Sequence, residues 1–129
     1  MNVLDENILE SQRLSLLGWR IPVRQIGHEL GWKGMCDGEI IPFLLTLRRP
    51  TFFTRDLDFW SRQLCHARYS LVILAVGQYE AAHFIRRMLR QPGFNSQSKR
   101  MGQVIRVMHR GFVVWQRHAK HEVRHDWRD

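Results

Sequence analysis

The nine residues TFFTRDLDF, 51–59, join a short apolar run to two closely spaced carboxylates. The run has the length and composition of a buried strand, and Asp56 and Asp58 follow where that strand must end. A similar junction occurs upstream, where the apolar residues 2–4 lead directly to Asp5. Carboxylates at the carboxyl ends of parallel strands are a common way for an α/β domain to hold a divalent cation. The sequence therefore predicts an α/β fold with an acidic site at one edge of its sheet.

Strand and helix signals alternate along the rest of the chain. Strands are predicted at residues 2–4, 20–26, 51–53 and 70–76, and helices at residues 7–18, 37–48, 56–66 and 78–90. Asn7 is the predicted N-cap of the first helix, with Glu10 at the capping-box position. This alternation predicts a mostly parallel sheet wrapped by helices. Residues 103–108 and 112–117 flank a short turn and predict a C-terminal β-hairpin.

The length of 129 residues indicates one domain. We expect residues 1–117 to form it and residues 118–129 to be a polar tail or a short helix that folding and activity do not need. The acidic start excludes a secretory signal, and the longest apolar run, 71–76, is too short to span a bilayer. Cys36 and Cys65 lie outside any metal-binding or disulfide spacing. The protein is accordingly expected to be cytoplasmic, without a membrane partner.

Acidic and basic residues are segregated along the chain. Residues 1–60 contain eight of the 12 acidic residues and seven of the 20 Lys and Arg, so the other 13 bases share residues 61–129 with only four acids. A strongly basic half suits a phosphate backbone, because each neutralised phosphate releases a condensed counterion. A solvated surface that only confers solubility is the alternative interpretation.

Three motifs resemble those of the small PIN-like proteins. They are LDEN at residues 4–7, DGEII at 37–41 and TRDLDF at 54–59, in an order and spacing that extend the resemblance over nearly the whole chain. These proteins are relatives of the PIN-domain ribonucleases, which include many toxins of toxin–antitoxin pairs. The resemblance implies a PIN-like three-layer α/β sandwich, RNA as substrate, a cognate antitoxin as partner and a possible homodimer. The second-motif acid is either Asp37 or Glu39.

The same residues suit a metal site without reference to any family. Mg²⁺ or Mn²⁺ prefers oxygen ligands and needs only a few carboxylates, which Asp5, Asp37, Asp56 and Asp58 supply. Asp5 and Asp56 are the first expected ligands, and Asp58 completes or orients the set. Asp37 and Asp56 also stand where helix N-caps stand, so each has a purely structural alternative.

Four neighbouring residues are expected to support this site. Glu6 and Glu39 are also favourable in a first helical turn through the helix dipole alone. Thr54 is expected to position a water or a phosphate. Arg55 either contacts the substrate phosphate or neutralises the aspartates beside it.

The basic residues of the second half are the expected nucleic-acid contacts: Arg86, Arg87, Arg90, Lys99, Arg100, Arg106 and Arg110. Arg86, Arg87 and Arg90 share one predicted helix and are expected to supply most of the RNA affinity. Trp32, Trp60 and Trp115 either stack on unpaired bases or are buried, and burial is the more common role for tryptophan.

Other functions fit the sequence less well. Residues 121–125 spell HEVRH, the HExxH pattern of zinc proteases, but the chain continues for only four more residues and offers little to support a catalytic zinc. A receiver domain needs a lysine after its last parallel strand, and a haloacid-dehalogenase-like phosphatase needs its DxD motif on the first strand. The remaining alternative is a catalytically silent PIN-like module that binds RNA or a protein partner.

Overall fold

The computed structural model describes residues 1–129 as one seven-stranded sheet with helices on both faces. The strands are β1 (Asn2–Leu4), β2 (Arg24–Gln25), β3 (Thr51–Thr54), β4 (Ser70–Leu74), β5 (Gln103–Met108), β6 (Gly111–Gln116) and β7 (Val123–Asp126). The helices are α1 (Glu10–Gly18), α2 (Asp37–Leu44), α3 (Ala81–Leu89) and α4 (Gln97–Arg100). Single 3-10 turns lie at Leu57–Phe59, Arg62–Leu64 and Gln78–Glu80. No helix combines the length and apolar character that crossing a bilayer requires.

The strand order is β2-β1-β3-β4-β5-β6-β7. The first five strands in this order are parallel, whereas β6 and β7 are antiparallel to their neighbours. The chain leaves β1 for β2 on one side and then returns to β3 on the other side of β1. The predicted α/β fold with a mostly parallel sheet is therefore confirmed.

Each face of the sheet has its own apolar core, because successive strand residues point to opposite faces. Leu4, Phe53 and Val72 belong to the core shared with α1 and α3. Phe52 and Leu71, from the same strands, belong to the core shared with α2. The two helical layers and the sheet between them make three layers.

The helix predicted at residues 56–66 does not form. Two 3-10 turns, Leu57–Phe59 and Arg62–Leu64, occupy this stretch. The Asp56 side chain accepts a hydrogen bond from the Asp58 amide at 2.9 Å, and such local side-chain bonds compete with helix formation. The turn brings the Phe59 ring edge-on to Phe52, with 5.5 Å between centroids.

Two predicted boundaries in the first half are also wrong. Helix α1 begins at Glu10 with Leu9 at its N-cap and no side-chain cap, so Asn7 and Glu10 do not form the predicted capping box. The second strand contains Arg24–Gln25 rather than residues 20–26. Arg20 takes φ of 63° where the chain turns out of α1, which is incompatible with a strand at that residue.

The C-terminal residues are part of the sheet. β5 and β6 pair antiparallel, and β7 then pairs antiparallel with β6, so the chain ends on a third strand rather than on a two-stranded hairpin. Trp127 packs against the first core and donates hydrogen bonds to the carbonyls of Met108 and His109 at 3.2 and 3.1 Å. The expectation of a polar tail or short helix at residues 118–129 was therefore wrong, because residues 123–126 pair with β6 and Trp127 packs against the first core.

Candidate metal centre

Asp5 and Asp56 follow the adjacent strands β1 and β3, at the edge where the chain connections pass to opposite faces of the sheet. The connection leaving β1 contains α1 on one face, and the connection leading to β3 contains α2 on the other face. Open α/β sheets bind ligands in the crevice outside the carboxyl ends of such adjacent strands. Asp5 directly follows β1, and Asp56 lies two residues beyond β3. The topology therefore makes this crevice the first place to look for a site.

Three carboxylates come together there. Asp37 is the first residue of α2, and its side chain offers an oxygen that lies, with one oxygen each from Asp56 and Asp58, in a group whose members are all within 4.8 Å of one another. No other group of three or more His, Cys, Asp or Glu side chains has this geometry. Hard oxygen donors at such spacing can share one small divalent cation.

Asp5 is linked to this group through Thr54. The Thr54 hydroxyl donates to Asp5 Oδ2 at 2.7 Å and accepts from the Asp56 amide at 3.0 Å. Thr54 is fully buried, and both of these hydrogen bonds are partly buried. Thr54 thus contacts two aspartates, and its expected role in positioning a water or a phosphate stays a prediction. Asp5 flanks the three-carboxylate group rather than belonging to it.

Burial and the charge of neighbouring aspartates raise the pKa of two carboxyl groups in the crevice. Burial raises the pKa of the Asp5 carboxyl, the Thr54 hydrogen bond opposes that rise, and the charge of Asp56 adds to it. The pKa of Asp37 is also raised, first by loss of hydration and then by Asp56, with smaller effects from Asp5 and Asp58. The fold therefore brings negative charges together at a cost that a bound cation would relieve.

Arg55 does not form an ion pair with the aspartates of the crevice. Its Nε donates to the Val76 carbonyl at 3.0 Å, and the structure contains no ion pair between Arg55 and any aspartate. The side chain is exposed and lines a cavity of about 240 Å³ together with Asp5 and Asp56. Of the two expected roles, neutralisation of Asp56 and Asp58 by an ion pair is therefore excluded, and contact with a substrate remains the prediction.

The two glutamates of the motifs have structural partners. Glu39 Oε1 accepts from the Cys36 amide at 3.0 Å, as in a helix capping box. Glu6 Oε1 accepts from the Gly34 amide at 2.8 Å. Asp37 rather than Glu39 is therefore the second-motif acid that reaches the cluster.

Gln25 is a positioning residue that sequence reasoning missed. Its side chain is 1% exposed and donates to the carbonyls of Asp5 and Ile8 at 2.9 and 2.8 Å. These bonds hold the chain after β1, and thereby Asp5, in place. The available signal was a glutamine beside the apolar Ile26 in a predicted strand.

A second cavity borders the cluster on the α2 side. It has a volume of about 310 Å³ and is lined by Asp37, Gly38, Ile41, Asp58, Phe59 and Leu64. One side of the carboxylate cluster is thus polar and contains Arg55, whereas the other is partly apolar.

The predicted nucleic-acid contacts are not next to the carboxylates. Arg86, Arg87 and Arg90 line a cavity of about 620 Å³ on α3 that shares no residue with the two acidic cavities. Arg86 lies over Trp19 at 3.8 Å, and Arg87 forms an ion pair with Asp129. Two of these three arginines are therefore already engaged within the protein.

The other predicted contacts differ in accessibility. Arg100 is 2% exposed and donates to Thr51 Oγ1 and to the Phe94 carbonyl, so its assignment as a nucleic-acid contact was wrong. Arg106 is half-buried over Trp60. Lys99 and Arg110 are exposed.

Among the tryptophans proposed for stacking, Trp60 and Trp115 are partly buried against the second core. Trp32 is 51% exposed and meets Phe43 edge-on. Burial is thus the observed role for Trp60 and Trp115.

The HExxH segment does not form a metal site. Val123–Asp126 is a strand and His121 lies before it, so the segment lacks the helix that the protease pattern requires. The His125 ring stacks on Phe112, with 4.9 Å between centroids. The rejection of a zinc protease agrees with this geometry.

Comparison with protein-family models, with curated proteins and with solved structures finds no match to the chain.

Proposed function

We propose that the protein is a ribonuclease that depends on Mg²⁺ or Mn²⁺. The observation that carries this proposal is the approach of Asp37, Asp56 and Asp58 within 4.8 Å at the carboxyl edge of the sheet. The residues fit the cation, because all donors are carboxylate oxygens. Burial first, and then the charge of neighbouring aspartates, raises the pKa of Asp5 and of Asp37, and a bound cation would offset both effects.

A division of labour follows for the residues of the crevice. Asp37, Asp56 and Asp58 would hold the cation, which when bound lowers the pKa of a water and stabilises charge on the scissile phosphate. Asp5, held by Thr54 and Gln25, would orient the cluster and accept a proton from an attacking water. Arg55 would bind a non-bridging phosphate oxygen with the guanidinium nitrogens that the Val76 contact leaves free.

The resemblance to small PIN-like proteins supports the same reaction and adds a biological role. In that role the protein is the toxin of a toxin–antitoxin pair and is inhibited by a cognate antitoxin. Growth arrest on expression of the wild type, but not of Asp56→Asn, is the expected sign of this role.

Cleavage of RNA tests the proposal. A set of labelled single-stranded and structured RNAs should be cut in the presence of Mg²⁺ or Mn²⁺ and left intact in EDTA. Asp37→Asn and Asp56→Asn should each lower the rate by about 100-fold or more, at or beyond the losses typical of disturbing a metal ligand's support. Asp126→Asn, which changes an exposed carboxylate on β7, is the matched control.

Two results would contradict the ribonuclease. Cleavage that persists unchanged in Asp37→Asn and Asp56→Asn would remove the crevice from the reaction. RNA binding without any cleavage at either metal would instead identify the catalytically silent PIN-like module.

A further inference from the structure

A further cavity lies at the amino edge of the sheet, opposite to the carboxylate cluster. It has a volume of about 570 Å³ and is lined by Arg48, Arg49, Arg68, Thr46, Ser98 and Met101, among others. These residues come from the segment that leads into β3, the segment that leads into β4, and the turn around α4. We call this cavity the amino-edge groove.

Three arginines line the groove, and no carboxylate lines it with them. None of Arg48, Arg49 and Arg68 takes part in an ion pair. Residues 40–55, 59–79 and 81–121 contain no Asp or Glu, and these segments include every element that borders the groove. Like charges held together without a partner favour an anion from solution.

Arg100 adds positive charge near the groove, since it directly precedes the groove residue Met101 in the chain. Arg100 is buried between Thr51 and Phe94 with no acidic partner, and burial lowers its pKa to about 10. By contrast, the cavity on α3 includes Asp129, which forms an ion pair with Arg87. The amino-edge groove is therefore the less compensated of the two basic surfaces.

The side chains of the groove are partly pre-positioned. Arg49 Nη1 donates to Ser98 Oγ at 3.1 Å, and Arg68 Nη2 donates to the Leu45 carbonyl at 2.8 Å. A guanidinium has five N–H donors, so each of these arginines keeps most of its donors for a ligand. Arg49 also takes φ of 47°, a conformation that bulky residues rarely adopt and that clusters at functional sites.

We propose that the amino-edge groove binds backbone phosphates of RNA at a site separate from the carboxylate cluster. The choice of RNA rests on the proposed function, whereas the anionic chemistry follows from the three unpaired arginines. Arginine supplies three of the eight residues that line the groove, and the planar forked donors of its guanidinium group match phosphate oxygens. RNA bound there supplies affinity and orientation to a substrate that is cut at the other edge.

This arrangement predicts a dependence on RNA length. The parallel strands β3 and β4 have four and five residues, so the two edges of the sheet are roughly 15 Å apart. An RNA must span that distance to occupy both sites. Changes in the groove should therefore raise KM for long RNA and leave kcat nearly unchanged, and they should have little effect on a dinucleotide substrate.

The test measures binding of a labelled 20-nucleotide single-stranded RNA in EDTA, where cleavage is absent. The triple variant Arg48→Gln, Arg49→Gln, Arg68→Gln should lose about 10-fold or more in affinity. Its slope of log K against log salt should fall by about 2, at roughly 0.7 per lost phosphate contact. The triple variant Arg20→Gln, Arg62→Gln, Arg124→Gln removes the same charge from exposed positions elsewhere and should retain the wild-type slope.

Single variants guard against misfolding of the triple variant. Arg48 makes no hydrogen bond with its side chain, so Arg48→Gln should keep the melting temperature and still reduce the salt slope by about 0.7. Equal affinities and slopes in the groove and control variants would overturn the groove and leave the ribonuclease intact. No RNA binding by the wild type would instead remove both proposals. A saturable rise in melting temperature with inorganic phosphate that the groove variant loses, with RNA binding unchanged, would overturn RNA as the ligand.

Discussion

Asp37 and Glu39 are two residues apart in the same helical turn, yet they have different roles. A helix advances about 100° per residue, so side chains two positions apart point to nearly opposite sides. Asp37 points to the carboxylate cluster, while Glu39 turns back to the Cys36 amide. The sequence could predict that this turn supplies one acid, but only the direction of α2 relative to the sheet decides which one.

The charge on Asp37 is expected to destabilise the metal-free protein. Its pKa is raised in the folded state, so its contribution to folding is favourable below the unfolded pKa and is lost as pH rises through the folded pKa. In EDTA at pH 7, Asp37→Asn should therefore melt about 1 to 2 °C above the wild type, and the difference should vanish near pH 3. Thermal unfolding at several pH values measures this.

Manganese should reverse that order. With Mn²⁺ in excess, the wild type gains binding free energy that Asp37→Asn lacks, so the wild type should become the more stable of the two. If Asp37→Asn were less stable than the wild type in EDTA at both pH values, the favourable interaction of Asp37 with the N-terminus of α2 would outweigh the repulsion. The raised pKa would then not describe the site.

At the scale of elements, the segment after β3 shows why two closely spaced aspartates led to a wrong helix prediction. Asp56 and Asp58 were expected to begin a helix, and residues 57–59 form a single 3-10 turn instead. The same Asp56 carboxylate accepts from the Asp58 amide and lies in the metal-capable group. Local hydrogen bonding by short acidic side chains is invisible to apolar periodicity, which is the signal used to predict helices.

The C-terminal strand contributes to stability through Trp127. Its ring lies between Phe84 and Phe112, its indole N–H has two carbonyl partners, and Arg87 lies 4.7 Å from its centroid. Trp127→Ala should cost about 2 to 3 kcal/mol of unfolding free energy, because large aromatic truncations in cores cost about 3 to 5 and this ring is only partly buried. Chemical denaturation with urea measures the change.

Trp32→Ala is the matched control, since Trp32 is half-exposed and its one aromatic contact is the edge-on approach to Phe43. It should cost less than about 1 kcal/mol. If both substitutions had the same small cost, β7 and the residues after it would be the dispensable tail that composition suggested.

Over the whole molecule, the sheet places the carboxylate cluster at its carboxyl edge and the three arginines of the amino-edge groove at its opposite edge. Arg48 and Arg49 come from the nearly neutral first half, and they meet Arg68 from the basic second half in the amino-edge groove. Parallel strands gather their preceding residues at one edge of the sheet and their succeeding residues at the other. The acids that come after β1 and β3 were recognisable from the sequence for this reason, whereas the arginines that precede β3 and β4 were passed over because no motif marks them.

The sequence also did not predict the order of the strands in the sheet. Alternating strand and helix signals were enough to predict a mostly parallel sheet. The position of β1 between β2 and β3, which creates the crevice, depends on pairing between β1 and the two-residue strand Arg24–Gln25. The sequence predicted a strand at residues 20–26, but a strand of two residues carries too little pattern to indicate which strand it pairs with.

Titration of Mn²⁺ into the metal-free protein, followed by calorimetry, tests the central claim most directly. The wild type should bind one Mn²⁺ in a saturable manner, and Asp126→Asn should bind it equally well. The double variant Asp37→Asn, Asp56→Asn should bind at least about 100-fold more weakly, because it removes two of the three clustered carboxylates. Absence of saturable binding by the wild type, or equal binding by the double variant, would contradict the assignment of this crevice as a metal centre.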